Sequence, residues 1–209
     1  MINKKIENQS NDSLFFTRSN LDNSKVDKIV SDALHKADDG ELFMEFCESE
    51  SFVYDDQRLK SASFDTSKGF GLRAIAGESS GYAHSSDIDE NALKKASETV
   101  NFITKDHNAN FNANFSKTNR KLYNEINPIN ETEFSKKVET LKKIDEYARS
   151  KNPNVKQVSA SLNGEWQAVR IYRPGGIMIE DLRPLVRLYV SIVLEKDGRQ
   201  ENGSRGSGG

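Results

Sequence analysis

The chain has 209 residues, of which 30% are charged and 35% hydrophobic, and its formal net charge is −2. This composition fits one large or two small folded domains and argues against nucleic-acid binding, which requires a clustered basic surplus. No apolar run approaches the roughly 20 residues of a membrane span, no apolar stretch follows Lys4 and Lys5 as in a secretory signal, and the lone Cys47 excludes an intramolecular disulfide. We therefore expect a cytoplasmic protein with no membrane or nucleic-acid partner.

Helical periodicity predicts two helices in the first half of the chain. Apolar residues recur every three or four positions over 23–38 and again over 89–104. The candidate N-caps are Asn23 or Ser24 for the first helix, and Asp87 or Asp89 for the second.

Extended segments lie between these helices. Residues 42–47 and 51–54 are predicted to be strands joined by a short polar turn, and another turn at 55–57 leads into the alternating segment 59–64. With the helices, they predict a first α+β domain over residues 21–105, after an N-terminal extension over 1–20.

A glycine-punctuated block follows at residues 67–84. Gly69 and Gly71 interrupt an apolar run, and the stretch from Gly77 to Gly81 has the composition of a hairpin turn. The spacing fits neither the dinucleotide-binding fingerprint nor a phosphate-binding P-loop. One interpretation is a thinned sheet that another backbone can approach; the interpretation we favour is a tight hairpin.

The second half of the chain begins after an Asn-rich linker at 106–130. A helix is predicted over 132–150, and its many charges are expected to form a solvated face, with Glu133/Lys137 and Glu139/Lys143 at ion-pair spacing.

The strands of this second domain, over 131–209, are expected to pair as hairpins. Asn163-Gly164 is predicted to be a turn between two strands, 173–176 a loop, and Asp197-Gly198 a further turn after a strand at 186–194. No strand long enough to complete a sheet is predicted after that last turn.

The residues that carry chemistry in other proteins are scattered here. His35 is expected at the surface, His84 ends the glycine hairpin and His107 lies in the Asn-rich linker, so no two histidines have the spacing of a zinc-binding helix. Cys47 is expected to be a buried, inert thiol. We accordingly assign no catalytic, cofactor-binding or metal-binding residue.

Residues 58–84 and 181–209 resemble the TldD/PmbA family of metallopeptidases, and the second segment resembles its TldD branch. The resemblance implies zinc held by a His-Glu-x-x-x-His helix and a distant cysteine, all downstream of the family's Gly-rich segment. Cys47 does not correspond to that cysteine. The glycine run at 203–209 has the composition of an artificial linker, but the resemblance indicates native sequence cut short.

The resemblance also implies a function. The chain would be the N-terminal part of a TldD-like cytoplasmic zinc metallopeptidase that cleaves flexible peptides or unfolded protein segments, paired with a PmbA (TldE)-like subunit. The fold expected is α+β, with antiparallel hairpins and packed helices in two subdomains, ending before the metal-bearing C-terminal domain. Residues 1–209 alone would bind no zinc and cleave nothing, and an extended peptide would dock on an open strand edge. The alternative is a non-catalytic peptide-binding or scaffold module of the same fold, acting as partner subunit of a peptidase.

Overall fold

The computed structural model describes residues 11–17, 19–105, 107, 122–124 and 126–209. Most of the predicted linker at 106–130, and the first ten residues of the predicted extension, lie outside these ranges. The helices are α1 Asn11–Phe16, α2 Asn23–Leu34, α3 Glu90–Thr104, α4 Pro128–Glu131 and α5 Phe134–Lys151. The strands are β1 Asp39–Asp55, β2 Arg58–Ala76, β3 Ser79–Ser85, β4 Val155–Arg173, β5 Ile177–Lys196 and β6 Arg199–Gly208. None of the helices in the described residues is long and apolar enough to span a membrane.

The six strands form one sheet in the order β3-β2-β1-β4-β5-β6. The turns between consecutive neighbours are too short for the crossover that a parallel pair requires, so these pairs are antiparallel, as the registers of β2 with β3 and of β5 with β6 show. The predicted α+β class and the hairpin turns near Gly77 and at Asp197-Gly198 are confirmed.

Helices α2, α3 and α5 lie where apolar periodicity predicts helices, with shifted ends. The N-cap of α2 is Asp22, whose Oδ1 accepts a hydrogen bond from the Lys25 N–H at 2.8 Å, so the predicted caps Asn23 and Ser24 are wrong. Asp89 caps α3 as predicted, accepting from the Ala92 N–H at 2.8 Å. Helix α2 ends at Leu34, four residues before the predicted end.

Two predicted turns are instead strand interior. β1 runs unbroken through the segment that was expected to separate strands 42–47 and 51–54. Asn163-Gly164 lies within β4, where Ser51 Oγ donates to Asn163 Oδ1 at 2.8 Å and a Cβ on Gly164 would lie 3.0 Å from Glu50 Oε1. Both residues with turn preference are thus in contact with the neighbouring strand β1, and these tertiary contacts override the local preference for a turn.

The glycine run near the chain's last residue belongs to a strand. β6 pairs with β5 continuously from Lys196↔Arg199 to Arg187↔Gly208. The prediction that no strand long enough to complete a sheet would follow the Asp197-Gly198 turn is therefore wrong. β6 is therefore the edge strand of the sheet on this side, and all its residues are exposed.

The described residues fall into two compact units, drawn from the ranges 1–46, 67–121 and 168–181, and from 47–66, 122–167 and 182–209. In the first unit, α3 packs on β3 and on α2. In the second, α5 covers a core formed by Phe52, Tyr54, Leu141 and Ala160. The domain division at 21–105 and 131–209 stays a prediction.

Candidate functional site

The three histidines occupy separate places. His35 is exposed, as predicted, and its Nδ1 lies 2.7 Å from the Asp32 carbonyl oxygen. His84 lies on β3 opposite Gly71. Across the described ranges, no three His, Cys, Asp or Glu side chains converge as a metal ion would require. The described residues thus do not fit a zinc site, and no metal-dependent step is assigned to them.

His107 and Asp38 form a small polar clasp in the first unit. His107 Nε2 lies 2.8 Å from Asp38 Oδ2, which also accepts the Gly77 N–H at 2.6 Å. The hydrogen bond from Gly77, and then that from His107, lower the pKa of Asp38. This contact joins the β2–β3 turn to the residue just before β1.

In the glycine block, neighbouring groups of β3 and α3 occupy the space that side chains would otherwise take. A Cβ on Gly71 would lie 2.5 Å from the hydroxyl oxygen of Tyr82, and one on Gly81 would lie 3.1 Å from Ile103 of α3. A Cβ on Gly69 would lie 2.8 Å from the Ser85 carbonyl oxygen. Close approach within the hairpin and by α3 accounts for these glycines, which favours the tight-hairpin interpretation.

A polar groove of about 450 Å³ lies between β3 and α3. Its lining includes His84, Asp87 and Lys95. The carboxylate of Asp89, which also lines it, is already engaged in capping α3. The groove therefore has mixed charge and no converging set of ligands.

A buried ion pair lies in the second unit. Lys137 Nζ lies 2.6 Å from both Glu50 carboxylate oxygens and donates to the Ile129 carbonyl oxygen at 2.7 Å. Both side chains are almost fully buried. Lys137 therefore does not belong to the solvated face predicted for this helix, and the predicted pairing with Glu133 gives way to Glu50. Three oxygens therefore lie within hydrogen-bonding distance of Lys137 Nζ, one for each of its three protons. This satisfaction of the ammonium group allows its charge to be buried.

Asp145 is a second charged residue on the buried side of α5. Its Oδ1 accepts from Arg149 Nε at 2.9 Å, and Arg149 also donates to Asp56 Oδ1 at 2.6 Å in the β1–β2 turn. The guanidinium thereby bridges a buried and an exposed carboxylate. The first of these, Asp145, raises the pKa of Arg149.

Arg170 organises the polar part of the first unit. It is 1% exposed, donates to Asp12 at 2.7 Å and to Asn23 at 2.9 Å, and contacts Glu180. Its guanidinium lies 5.2 Å from the ring centroid of Phe15. This residue therefore connects α1, α2 and the β4–β5 hairpin, a role that no local sequence pattern predicted.

Part of β2 has an open backbone edge. β2 pairs with β3 only through residues 70–76, so within the described part of the chain residues 58–66 have β1 on one side and no strand on the other. We call residues 58–66 the β2 flank; all of them are exposed.

An aromatic cluster adjoins the β2 flank. The buried ring of Phe52 contacts Phe64 edge-on, with centroids 5.6 Å apart, and Phe134 of α5 at 5.5 Å. Phe64 is 59% exposed and Phe134 48% exposed. Because a free strand edge and exposed apolar rings are the two elements of strand addition, the β2 flank is the candidate binding surface of the second unit.

Two family models match the chain. The model described as PmbA/TldA metallopeptidase domain 1 matches residues 40–101, and the PmbA/TldA metallopeptidase central domain matches residues 127–209. The Metalloprotease TldD homolog of Haemophilus influenzae is 34% identical over 197 residues, covering 92% of this chain and 41% of that protein. The homolog of the same name in Buchnera aphidicola subsp. Schizaphis graminum is 27% identical over 194 residues, covering 92% and 40%. The chain thus spans about two fifths of the length of these relatives.

Solved structures share the fold. A putative modulator of DNA gyrase from Bacteroides thetaiotaomicron superposes with a TM-score of 0.68 at 15% identity, covering 88% of this chain and 44% of that one. TldE from Thermococcus kodakarensis superposes with a TM-score of 0.62 at 17% identity, covering 88% and 42%. At these identities the likeness concerns the fold alone.

Proposed function

The chain belongs to the PmbA/TldD metallopeptidase family, and on that premise we propose that it is the N-terminal part of a TldD-like, cytoplasmic zinc metallopeptidase. The substrates proposed are flexible peptides and unfolded protein segments. The observation that carries the proposal is the 34% identity over 197 residues to a metalloprotease homolog, together with two family models matched in order along the chain.

The metal would be bound elsewhere in the full-length protein. A catalytic zinc requires about three protein ligands, and no such set converges in the described residues. When bound, zinc would polarise the scissile carbonyl and activate water. We assign this chain the task of binding the polypeptide: an open strand edge offers unpaired N–H and C=O groups, which hold any extended backbone without regard to its sequence.

We propose a PmbA/TldE-like protein as the partner subunit. The support is the fold shared with TldE of Thermococcus kodakarensis, at a TM-score of 0.62. Two subunits with the same fold present similar sheets, and paired assemblies of similar subunits are common among soluble proteins.

The test compares the 209-residue chain with the full-length protein, each with and without the PmbA-like partner. Metal content is measured by mass spectrometry, and cleavage is followed on an unstructured peptide and on a stably folded protein as the matched control. We expect stoichiometric zinc and chelator-sensitive cleavage of the unstructured peptide only with the full-length protein. Tightly bound zinc and cleavage by the 209-residue chain, or a metal-free full-length protein that still cleaves, would overturn the proposal.

A further inference from the structure

Backbone groups on the outer edge of β3 have no partner strand in the described part of the chain. β3 lies at the end of the sheet and pairs with β2 along its whole length without interruption. The Ile75 carbonyl oxygen accepts the Asp38 N–H at 2.8 Å, so the backbone groups of Ile75 point away from β3. Ile75 and its partner Ser80 therefore form a pair without mutual hydrogen bonds. It follows that the N–H and C=O groups of Ser80, and by alternation those of Tyr82 and His84, point outward.

Small side chains on one face of β3 border the groove against helix α3. A Cβ on Gly81 would lie 3.1 Å from Ile103, so this face of the strand meets the helix. By alternation Ala83 and Ser85 lie on the same face, and both line the groove of about 450 Å³. The α3 side of the lining consists of Asn91, Ala92, Lys95, Ala96 and Thr99. A strand added to β3 would direct every second side chain to this face of the sheet, so the open edge and the groove form one site.

The charged groups of the groove determine which side chains it can receive. Asp87 and Lys95 both line it, and neither has an ion-pair partner among the described residues. Asp89 already accepts the Ala92 N–H at 2.8 Å, and the His84 side chain lies on the opposite face of β3 by alternation. The groove thus offers one uncompensated cation and one uncompensated anion. Because side chains on one face of a strand are two positions apart, a ligand complementary to both carries opposite charges at that spacing.

We infer that β3 binds an extended polypeptide segment as a further strand of the sheet, with acidic and basic side chains of that segment alternating in the β3–α3 groove. A second copy of the chain does not fit this groove as well. Paired antiparallel through its own β3, it would bring only Gly81, Ala83 and Ser85 to this face, and none of these is charged. The inference rests on the proposed function, because the segment is taken to be part of the flexible substrate. It adds a location in the first unit and a side-chain preference, which backbone pairing alone does not supply.

The charge pattern is tested with three fluorescein-labelled peptides of seven residues, the length of β3. The mixed peptide carries lysine, glutamate and lysine at its second, fourth and sixth positions and threonine elsewhere; its counterparts carry only lysine or only glutamate at those positions. Fluorescence anisotropy with the 209-residue chain should show at least about fivefold tighter binding of the mixed peptide. Lys95→Glu should shift the preference to the lysine peptide, and Asp87→Lys to the glutamate peptide. The matched charge reversals Lys28→Glu and Asp32→Lys, at exposed positions of α2, should leave the preference unchanged.

The backbone contribution is tested on the peptide, which leaves the fold of the chain untouched. An added strand turns the amides of every second residue toward β3 and the others toward solvent. N-methylation of one alternate set of amides should therefore weaken binding of the mixed peptide at least about tenfold, and N-methylation of the other set should change it little. Ala83→Leu, which places a larger side chain in the groove, should also weaken binding, whereas Ala83→Gly should not. Thermal unfolding of both variants verifies that they are folded.

Three results would overturn the inference. The first is equal binding of the three peptides that neither Lys95→Glu nor Asp87→Lys alters. The second is an equal effect of N-methylation at the two alternate sets of amides, which would exclude strand addition. The third is concentration-dependent dimerisation that Ala83→Leu abolishes, which would make a second copy of the chain the occupant. Binding is measured without metal or cleavage, so a failure here is distinct from a failure of the full-length protein to act as a peptidase.

Discussion

Lys137 Nζ lies 2.6 Å from both carboxylate oxygens of Glu50, a residue 87 positions earlier in the chain. The pair attaches helix α5 to the middle of β1, and both side chains are almost fully buried. Gly164 of β4 leaves the space that the Glu50 side chain occupies, since a Cβ there would lie 3.1 Å from Glu50 Cγ. One ion pair thus fixes a helix and two strands of the second unit.

Breaking this pair is expected to be strongly destabilising. Lys137→Met would leave the Glu50 carboxylate buried without a counter-ion, which costs about 3–5 kcal/mol in comparable buried pairs. Urea denaturation at neutral pH measures the loss. The matched control is Lys143→Met, which removes the exposed pair with Glu139 at 2.8 Å and should leave the free energy of unfolding almost unchanged, because solvent screens an exposed pair. Equal losses in the two variants would contradict the structural role of the buried pair.

Two glycines should differ in their tolerance of alanine. A Cβ on Gly40 would lie 2.6 Å from the Arg73 carbonyl oxygen and 2.7 Å from Leu34 Cδ2, both held in the first unit's core. A Cβ on Gly71 meets Tyr82, whose side chain is 63% exposed and can rotate into solvent. Gly40→Ala should therefore destabilise by about 2 kcal/mol or more and Gly71→Ala by less than about 1 kcal/mol. Thermal unfolding of both variants checks the order, and the reverse order would refute the packing argument.

The contact of Asp38 with His107 and Gly77 is expected to contribute to the free energy of unfolding in a way that depends on pH in the acid range. The hydrogen bonds from Gly77 and His107 lower the pKa of Asp38 below its ordinary value of 3.8. A carboxyl whose pKa is depressed on folding stabilises the folded state above its unfolded pKa. That contribution is lost as pH falls below 3.8 through the folded pKa.

The measurement is a titration of the Asp38 carboxyl carbon by NMR, in the native chain and in His107→Gln. Because the Gly77 hydrogen bond is the larger cause, His107→Gln should raise the pKa of Asp38 only part of the way to 3.8. The control His35→Gln alters an exposed histidine that contacts its own helix and should leave the titration unchanged. An unaltered pKa in His107→Gln would show that the clasp does not form in solution.

Arg170 should control the attachment of helix α1. This six-residue helix is too short to be stable by itself, and Asp12 and Phe15 connect it to the Arg170 guanidinium. Arg170→Met is expected to accelerate amide hydrogen exchange in residues 11–16 at least about tenfold, while exchange in α5 stays the same. Mass spectrometry of peptic peptides measures both segments. Arg199→Met serves as the control, because that arginine is exposed and contacts Glu201 only two residues away.

The sequence predicted correctly the features that depend on local chemistry. Asp89 caps α3, and the turn at Asp197-Gly198 forms with positive φ at both residues. The Glu139–Lys143 pair forms on the exposed face of α5. In each case the interacting groups lie within four residues of each other, so neighbouring chain alone determines the outcome.

The tertiary structure decided the rest, because the partners are distant in the chain. Asn163-Gly164 has the strongest local turn preference of its region, yet Ser51 and Glu50 of the neighbouring strand hold it as strand interior. Lys137 matches the pattern of a solvated lysine, but Glu50, 87 residues away, makes its burial favourable. The open edge of β2 likewise follows from the short length of β3, which pairs only with residues 70–76, so that among the described residues no strand lies beside 58–66 on that side. The sequence by itself determined helices α2, α3 and α5, the turns near Gly77 and at Asp197-Gly198, and the family resemblance. Contacts between segments distant in the chain decided which charges are buried and, among the described residues, which part of β2 has no partner strand on its outer side.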